Sequence, residues 1–146
     1  MVDKDYKYKT LLSRIDDAMK DKFYLEATWI VYAILEDRLV SALNESGGAV
    51  DKKGKAIRML GNKLVELKVR HKEKKSVNLR KAFYGDMFDR LGTWKDMRNE
   101  LMHAMADETK GVVELDEMAF EAANIGRDLA REFCAACRRY KKLNRS

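Results

Sequence analysis

The 146-residue sequence contains no proline, and it has only two cysteines and two histidines. Because proline ends helices and marks turns, its absence favours a few long helices over a sheet protein with many turns. The apolar runs are too short to cross a bilayer, and the N-terminal residues show no signal-peptide pattern. We therefore expect a cytoplasmic protein that has no membrane partner.

The two cysteines, Cys134 and Cys137, form a C-x-x-C pattern, which can mark a zinc site or a redox site. Zinc needs four ligands, but there is no second cysteine pair and the two histidines are far away in sequence. A thioredoxin-like site needs a preceding strand, whereas these cysteines fall inside a long helical pattern. We interpret them as small packing residues and predict no metal site.

Charge is spread unevenly along the chain, whose net charge is +6 and whose pI is about 9.3. Residues 52–75 hold ten Lys and Arg against two Glu, and residues 131–145 hold six against Glu132 alone. Such clusters can form the electrostatic footprint of a nucleic-acid binder. They can equally be solvated helix faces, so charge alone leaves both interpretations open.

Hydrophobic periodicity predicts an all-α fold, an up-and-down bundle of about five helices in a single domain. The second helix is the most apolar and should be central, and a charged, glycine-containing loop should follow it. Gly85 and Gly92 argue against one continuous fourth helix, and a capping box at Thr93 could restart it. The segments are residues 5–20, 22–44, 56–70, a stretch from Ser76 to about 107, and 116–142.

The segment after Trp94 combines a guanidinium, an amide and an imidazole. Arg98 and Asn99 are followed by three residues and then by His103, in the pattern R-N-x-x-x-H. On a helix, Asn99 and His103 share a face, and a long Arg98 side chain can largely cover the roughly 7–8 Å of axis that separates it from His103. An Arg suits a phosphate because its planar fork donates two parallel hydrogen bonds. An imidazole suits proton transfer because it exchanges a proton near neutral pH.

This motif, late in a small helical chain, resembles the HEPN superfamily (higher eukaryotes and prokaryotes nucleotide-binding domains). Active members of that family are metal-independent ribonucleases marked by R-x(4–6)-H, often with a polar residue after the Arg. The resemblance implies an HEPN-like fold in which Arg98, Asn99 and His103 are catalytic, RNA is the substrate and no cofactor is needed. It also implies a homodimer in which two motifs face each other across a shared cleft.

The expected reaction is attack by the RNA 2′-hydroxyl, which leaves a 2′,3′-cyclic phosphate. The family commonly serves in toxin–antitoxin or antiviral defence, so an antitoxin or other partner protein is possible. In one toxin branch a Tyr stands two residues after the motif His and is modified by a nucleotidyltransferase. This chain has Met105 at that position, so the resemblance does not extend to that modification.

One carboxylate, Glu36, falls in the apolar second helix, on a stripe with Trp29 and Tyr32. Burying a carboxylate costs several kcal/mol unless it is paired, so a partner is expected. One interpretation is that Glu36 supports the site by orienting Arg98 or His103. The other is that it reaches solvent or pairs with an ordinary Lys or Arg.

Two alternatives to the ribonuclease remain open. A non-catalytic HEPN-like module would bind a nucleotide, an RNA or a protein without cleaving anything. A helical interaction or regulatory protein would carry the motif by chance, with a surface Arg and a hydrogen-bonded structural His on one helix.

Overall fold

A computed structural model describes residues 4–146, apart from the side chain of Asp5. The described residues form six helices and no strand, so the predicted all-α helical bundle is confirmed with six helices instead of about five. In that range no helix is both long enough and apolar enough to cross a membrane. The helices are α1 (Lys4–Lys20), α2 (Tyr24–Glu45), α3 (Leu60–His71), α4 (Val77–Ala82), α5 (Met87–Met105) and α6 (Val112–Asn144).

The helices form two compact units. The first contains the described residues up to Ile34 together with Thr93–Arg131, and so holds α1, the start of α2, most of α5 and the first part of α6. The second contains Leu35–Gly92 and Glu132–Ser146. Helix α2 supplies fully buried side chains to both units, as expected for the most apolar segment.

The first unit is held together by Trp94 of α5, which is buried. Its indole N–H donates a hydrogen bond of 2.8 Å to the carbonyl oxygen of Ala122 in α6. The ring lies against Gly126, where an added Cβ would come within 2.6 Å of the indole nitrogen and 2.8 Å of Val31 in α2. Three helices therefore meet at a point where only glycine leaves room for the tryptophan.

This contact sets which residues of α5 face outward. Trp94 and Leu101 are both buried and lie on one stripe. At about 100° per residue, Arg98 lies about 40° from Trp94 around the helix, Asn99 about 140° and His103 about 180°. The helix therefore holds Arg98 at the edge of the buried stripe and turns Asn99 and His103 to the opposite side.

In the second unit, the connection between α2 and α3 is tied down by Arg70, a buried side chain of α3. Its guanidinium donates five hydrogen bonds of 2.7–3.3 Å, which matches the five N–H groups that an Arg carries. The acceptors are the carbonyls of Leu43, Gly48 and Val50, the hydroxyl of Ser46 and the carboxylate of Glu66. The charged segment that the sequence predicts as a loop is thus anchored at its base.

Three predicted helix boundaries are wrong. Helix α6 begins at Val112 and not near residue 116. Helix α3 begins at Leu60 and not near Ala56, because residues 49–57 bond to one another. Helix α5 begins at Met87 and runs through Thr93 without a restart. The break instead comes before α5, near Gly85, whose φ of +68° suits glycine.

We predict that Gly126→Ala lowers the free energy of unfolding by about 1–3 kcal/mol, because the new methyl group displaces Trp94 from its hydrogen bond. The matched control is Gly92→Ala in α5, where the nearest side-chain atom would be 3.6 Å from the new Cβ. That variant should be neutral or stabilised by up to about 1 kcal/mol, since alanine is the better helix former. Urea unfolding measures both, and equal effects would contradict the packing assigned to Trp94.

Candidate functional site

Arg98 of α5 lies over the ring of Tyr32 in α2, with its guanidinium carbon 3.9 Å from the ring centroid. Its guanidinium donates a hydrogen bond to the amide oxygen of Asn99, which is long at 3.5 Å. No ion pair among the side chains that the structure describes involves Arg98, whereas Arg70, Arg90, Arg127 and Arg131 all pair with carboxylates. The aromatic ring therefore restricts this guanidinium while its charge stays available to an anion.

Asn99 and His103 lie one helical turn apart on the exposed side of α5. Both line a surface cleft of about 340 Å³ at the end of the helix. Arg98 is not among the residues that line it; the others are Glu100, Ala104, Asp107, Lys110 and Met118. The structure thus brings two of the three predicted site residues together and holds the third on another flank of the same helix.

The charges in this cleft do not favour a polyanion. Glu100 and Asp107 contribute two carboxylates, while Lys110 is 3.6 Å from a carboxylate oxygen of Glu114. Hydrogen bonds from the backbone and hydroxyl of Thr109 lower the pKa of Asp107, so this carboxyl stays ionised at neutral pH. The side of α5 that carries Arg98 is therefore more favourable to an anion than the cleft is.

The Arg98 flank continues into an apolar groove between α2 and α5. Its volume is about 430 Å³, and it is lined by Leu25, Glu26, Trp29, Ile30, Met102 and Met105. The Trp29 side chain is 72% exposed, although the sequence places it on an apolar stripe. Along α5, Met102 follows Arg98 by one turn, and along α2, Tyr32 follows Trp29 by nearly one turn. The Arg98–Tyr32 pair therefore stands at one end of this groove.

Glu36 has a partner in the second unit. Its carboxylate accepts a hydrogen bond of 2.8 Å from the ammonium of Lys63 in α3. The Lys63 side chain is 7% exposed and that of Glu36 is 32% exposed. The predicted role of Glu36 as a support for Arg98 or His103 assumed that its carboxylate would pair with one of them. In the structure the carboxylate pairs with Lys63 instead. The structure thus agrees with the second interpretation of Glu36.

Cys134 and Cys137 are buried free thiols of α6, as expected for packing residues. Burial raises the pKa of Cys134 and raises that of Cys137 to about 12, so both stay protonated at neutral pH. Among the side chains that the structure describes, no group of three or more His, Cys, Asp or Glu is placed to hold a metal ion.

Sequence reasoning missed Tyr32 as the partner of Arg98 and the groove beside it. The only signal was that Trp29 and Tyr32 share one stripe of α2. The same pattern is equally typical of buried core residues. A helical pattern shows which residues share a face, but it does not show which helix lies opposite that face.

Comparisons of the chain with protein-family models, curated proteins and solved structures found no match. Function is therefore inferred from the side chains themselves, above all from Arg98 and its surroundings.

We predict that Glu36→Gln destabilises the protein by about 1–3 kcal/mol, because it leaves the buried ammonium of Lys63 without a counter-charge. This is below the usual cost of breaking a fully buried pair, since Glu36 is partly solvated. The matched variant Lys63→Gln should cost less, because water can reach the remaining carboxylate. Chemical denaturation measures both variants, and a larger loss in Lys63→Gln would overturn this account of the pair.

Proposed function

We propose that the chain is an HEPN-type, metal-independent endoribonuclease. The observation that carries the proposal is the guanidinium of Arg98, which lies over Tyr32 and has no carboxylate partner among the described side chains. Arg98 directly precedes Asn99 in the R-N-x-x-x-H motif. An Arg held by an aromatic ring needs little reordering to bind a phosphate with two hydrogen bonds. A role in toxin–antitoxin or antiviral defence rests on the family resemblance alone, and a cytoplasmic location is a further part of the proposal.

The chemistry uses the nucleophile that RNA carries. A base removes the proton of the 2′-hydroxyl, the oxygen attacks phosphorus, and the bond to the 5′-oxygen breaks as an acid supplies a proton. The products are a 2′,3′-cyclic phosphate and a 5′-hydroxyl. His103 acts as one of the two proton-transfer groups, worth about 10²–10⁴-fold, and Arg98 stabilises the charge that grows on the phosphate. Asn99 orients the imidazole or the phosphate.

The position of the two groups on α5 bears on the oligomeric state. Arg98 and His103 point about 140° apart around α5, which favours a site that draws on two chains. A two-fold interface makes residue i of each copy contact residue j of the other. An axis that crosses α5 between Arg98 and His103 therefore pairs Arg98 of one protomer with the partner subunit's His103.

The exposed apolar groove around Trp29 supports such a homodimer. Tryptophan is among the residues that contribute most to protein interfaces, and a large exposed apolar patch marks an interaction surface. The Arg98–Tyr32 pair stands at one end of the groove. A second copy bound in the groove therefore lies beside the guanidinium of Arg98. We propose that this groove is part of the dimer interface.

The second candidate is a non-catalytic module that binds a nucleotide, an RNA or a protein. Two carboxylates, Glu100 and Asp107, line the cleft of His103, and Arg98 lies outside that cleft. These two observations favour a module in which Arg98 binds a ligand and His103 performs no chemistry. Oligomeric state and cleavage together separate the two candidates.

We predict that the purified protein cleaves labelled single-stranded RNA in the presence of EDTA. His103→Ala should lower the rate at least about 100-fold, since it removes a proton-transfer group. The control is His71→Gln, because His71 is the other histidine and its Nε2 lies 2.8 Å from the carbonyl oxygen of Phe83, within reach of a glutamine amide. Circular dichroism verifies that both variants fold. Full activity in His103→Ala would remove the catalytic assignment.

We also predict that the protein sediments as a dimer and that its specific activity rises with concentration. Trp29→Ser should raise the dimer Kd at least about 30-fold, which corresponds to the loss of an interface hot spot. Val65→Ser is the control, since Val65 is also an exposed apolar side chain, 60% exposed, but lies on α3. A wild-type protein that is fully active as a monomer would contradict the shared site. A monomer that is also inactive would favour the binding module.

A further inference from the structure

Residues 49–58, between α2 and α3, form a short hairpin, which we call the basic hairpin. Val50 and Ala56 make an antiparallel bridge, and the amide of Ile57 donates to the carbonyl of Ala49. At the tip, one carboxylate oxygen of Asp51 accepts hydrogen bonds of 2.8 and 3.0 Å from the amides of Lys53 and Lys55. These bonds fix the tip in one conformation.

The base of the basic hairpin is fixed as well. Arg70 donates hydrogen bonds of 2.7 and 3.0 Å to the carbonyls of Gly48 and Val50, where the chain enters the hairpin. The guanidinium of Arg70 is buried and all its N–H donors are used, so it adds no free cation to the surface. Its hydrogen bonds hold the base of the hairpin in place. The ten non-helical residues of the basic hairpin are thus hydrogen-bonded at both the tip and the base.

The side chains of the basic hairpin carry an excess of positive charge. Lys52, Lys53, Lys55 and Arg58 are all exposed, and no ion pair in the part of the chain that the structure describes involves them. The one acid is Asp51, so four cations and one anion leave a charge of +3. The Asp51 carboxylate also binds backbone amides, which leaves the lysine ammonium groups free for an external anion.

We propose that the basic hairpin is a binding site for the phosphate backbone of RNA, additional to the residues of α5. Four unpaired cations on one short, fixed segment suit a chain of phosphates better than a single phosphate, and a fixed segment loses little entropy on binding. The hairpin has no aromatic side chain to stack on a base, so it binds without sequence preference.

The composition of the tip favours RNA over an anionic membrane. Peripheral membrane binding uses large apolar or aromatic side chains that enter the lipid together with the basic residues. Residues 51–55 read Asp-Lys-Lys-Gly-Lys and contain none. The choice of RNA over other nucleic acids rests on the proposed function, whereas binding to a phosphate backbone does not.

The test compares two triple variants that remove the same charge. The first is Lys52→Ala/Lys53→Ala/Lys55→Ala, which keeps the backbone hydrogen bonds of the tip. The control is Lys4→Ala/Lys9→Ala/Lys20→Ala, which removes three exposed lysines of α1. Both are made in full-length protein that also carries His103→Ala, so that RNA stays intact and binding is measured apart from cleavage.

Binding of a labelled single-stranded RNA is measured between 50 and 300 mM salt, roughly the range in which counterion release is resolved. Each phosphate contact on a single strand contributes about 0.7 to the slope of log K against log salt. The hairpin variant should lose about 2 from that slope and about 100-fold in affinity at 0.1 M salt. The α1 variant should keep its slope within about 0.5.

Equal losses in the two triple variants would overturn the proposal, because they would reflect net charge alone. Undetectable RNA binding by the His103→Ala parent would also overturn it. So would tighter, hairpin-dependent binding to phosphatidylserine vesicles, which would identify a membrane surface as the ligand. Failure of the proposed catalysis appears separately, as wild-type protein that binds RNA without cutting it.

Discussion

The packing of Trp94 against Gly126 is the constraint on which the geometry of the candidate site depends. The indole occupies the space of a missing side chain on α6 and donates its N–H to the backbone of the same helix. That contact fixes the rotation of α5 about its own axis in the first unit. The directions of Arg98, Asn99 and His103 around α5 then follow from the position of Trp94.

Two consequences follow for function. With Trp94 turned inward, Arg98 falls at the edge of α2, where Tyr32 is available to hold it, and His103 faces the other way. The proposed binding of a phosphate and the proposed transfer of a proton thus fall on different flanks of one helix. In the proposed homodimer, the two-fold axis brings the Arg98 flank of each copy next to the His103 flank of the other copy.

Local patterns in the sequence were sufficient for the fold class and for placing the motif on a helix. Periodicity predicts the all-α fold, and the motif spacing selects Arg98, Asn99 and His103 without knowledge of any other segment. Features that depend on distant pairing were not predictable. Glu36 and Lys63 are 27 residues apart, and no rule of spacing joins them. Trp29 has the same periodicity as a core residue, yet α2 leaves it exposed.

The helix ends show the same limit. From the sequence, Gly92 is expected to interrupt a helix, but α5 continues through it. A Cβ added at Gly92 would be in ordinary van der Waals contact with Leu64 of α3. Helix α3 begins later than predicted because the hairpin precedes it. The base of that hairpin is held by Arg70, which lies 20 residues after Val50 in the sequence. Tertiary contacts therefore override local preference at both places.

The most direct measurement mixes two inactive variants, Arg98→Ala and His103→Ala, and lets their dimers exchange. If Arg98 of one protomer works with the partner subunit's His103, half of the dimers are mixed and each holds one intact site of two. The account therefore predicts that cleavage returns to about a quarter of the wild-type rate. A mixture that stays as inactive as the separate variants, while sedimentation shows that subunits have exchanged, would contradict it.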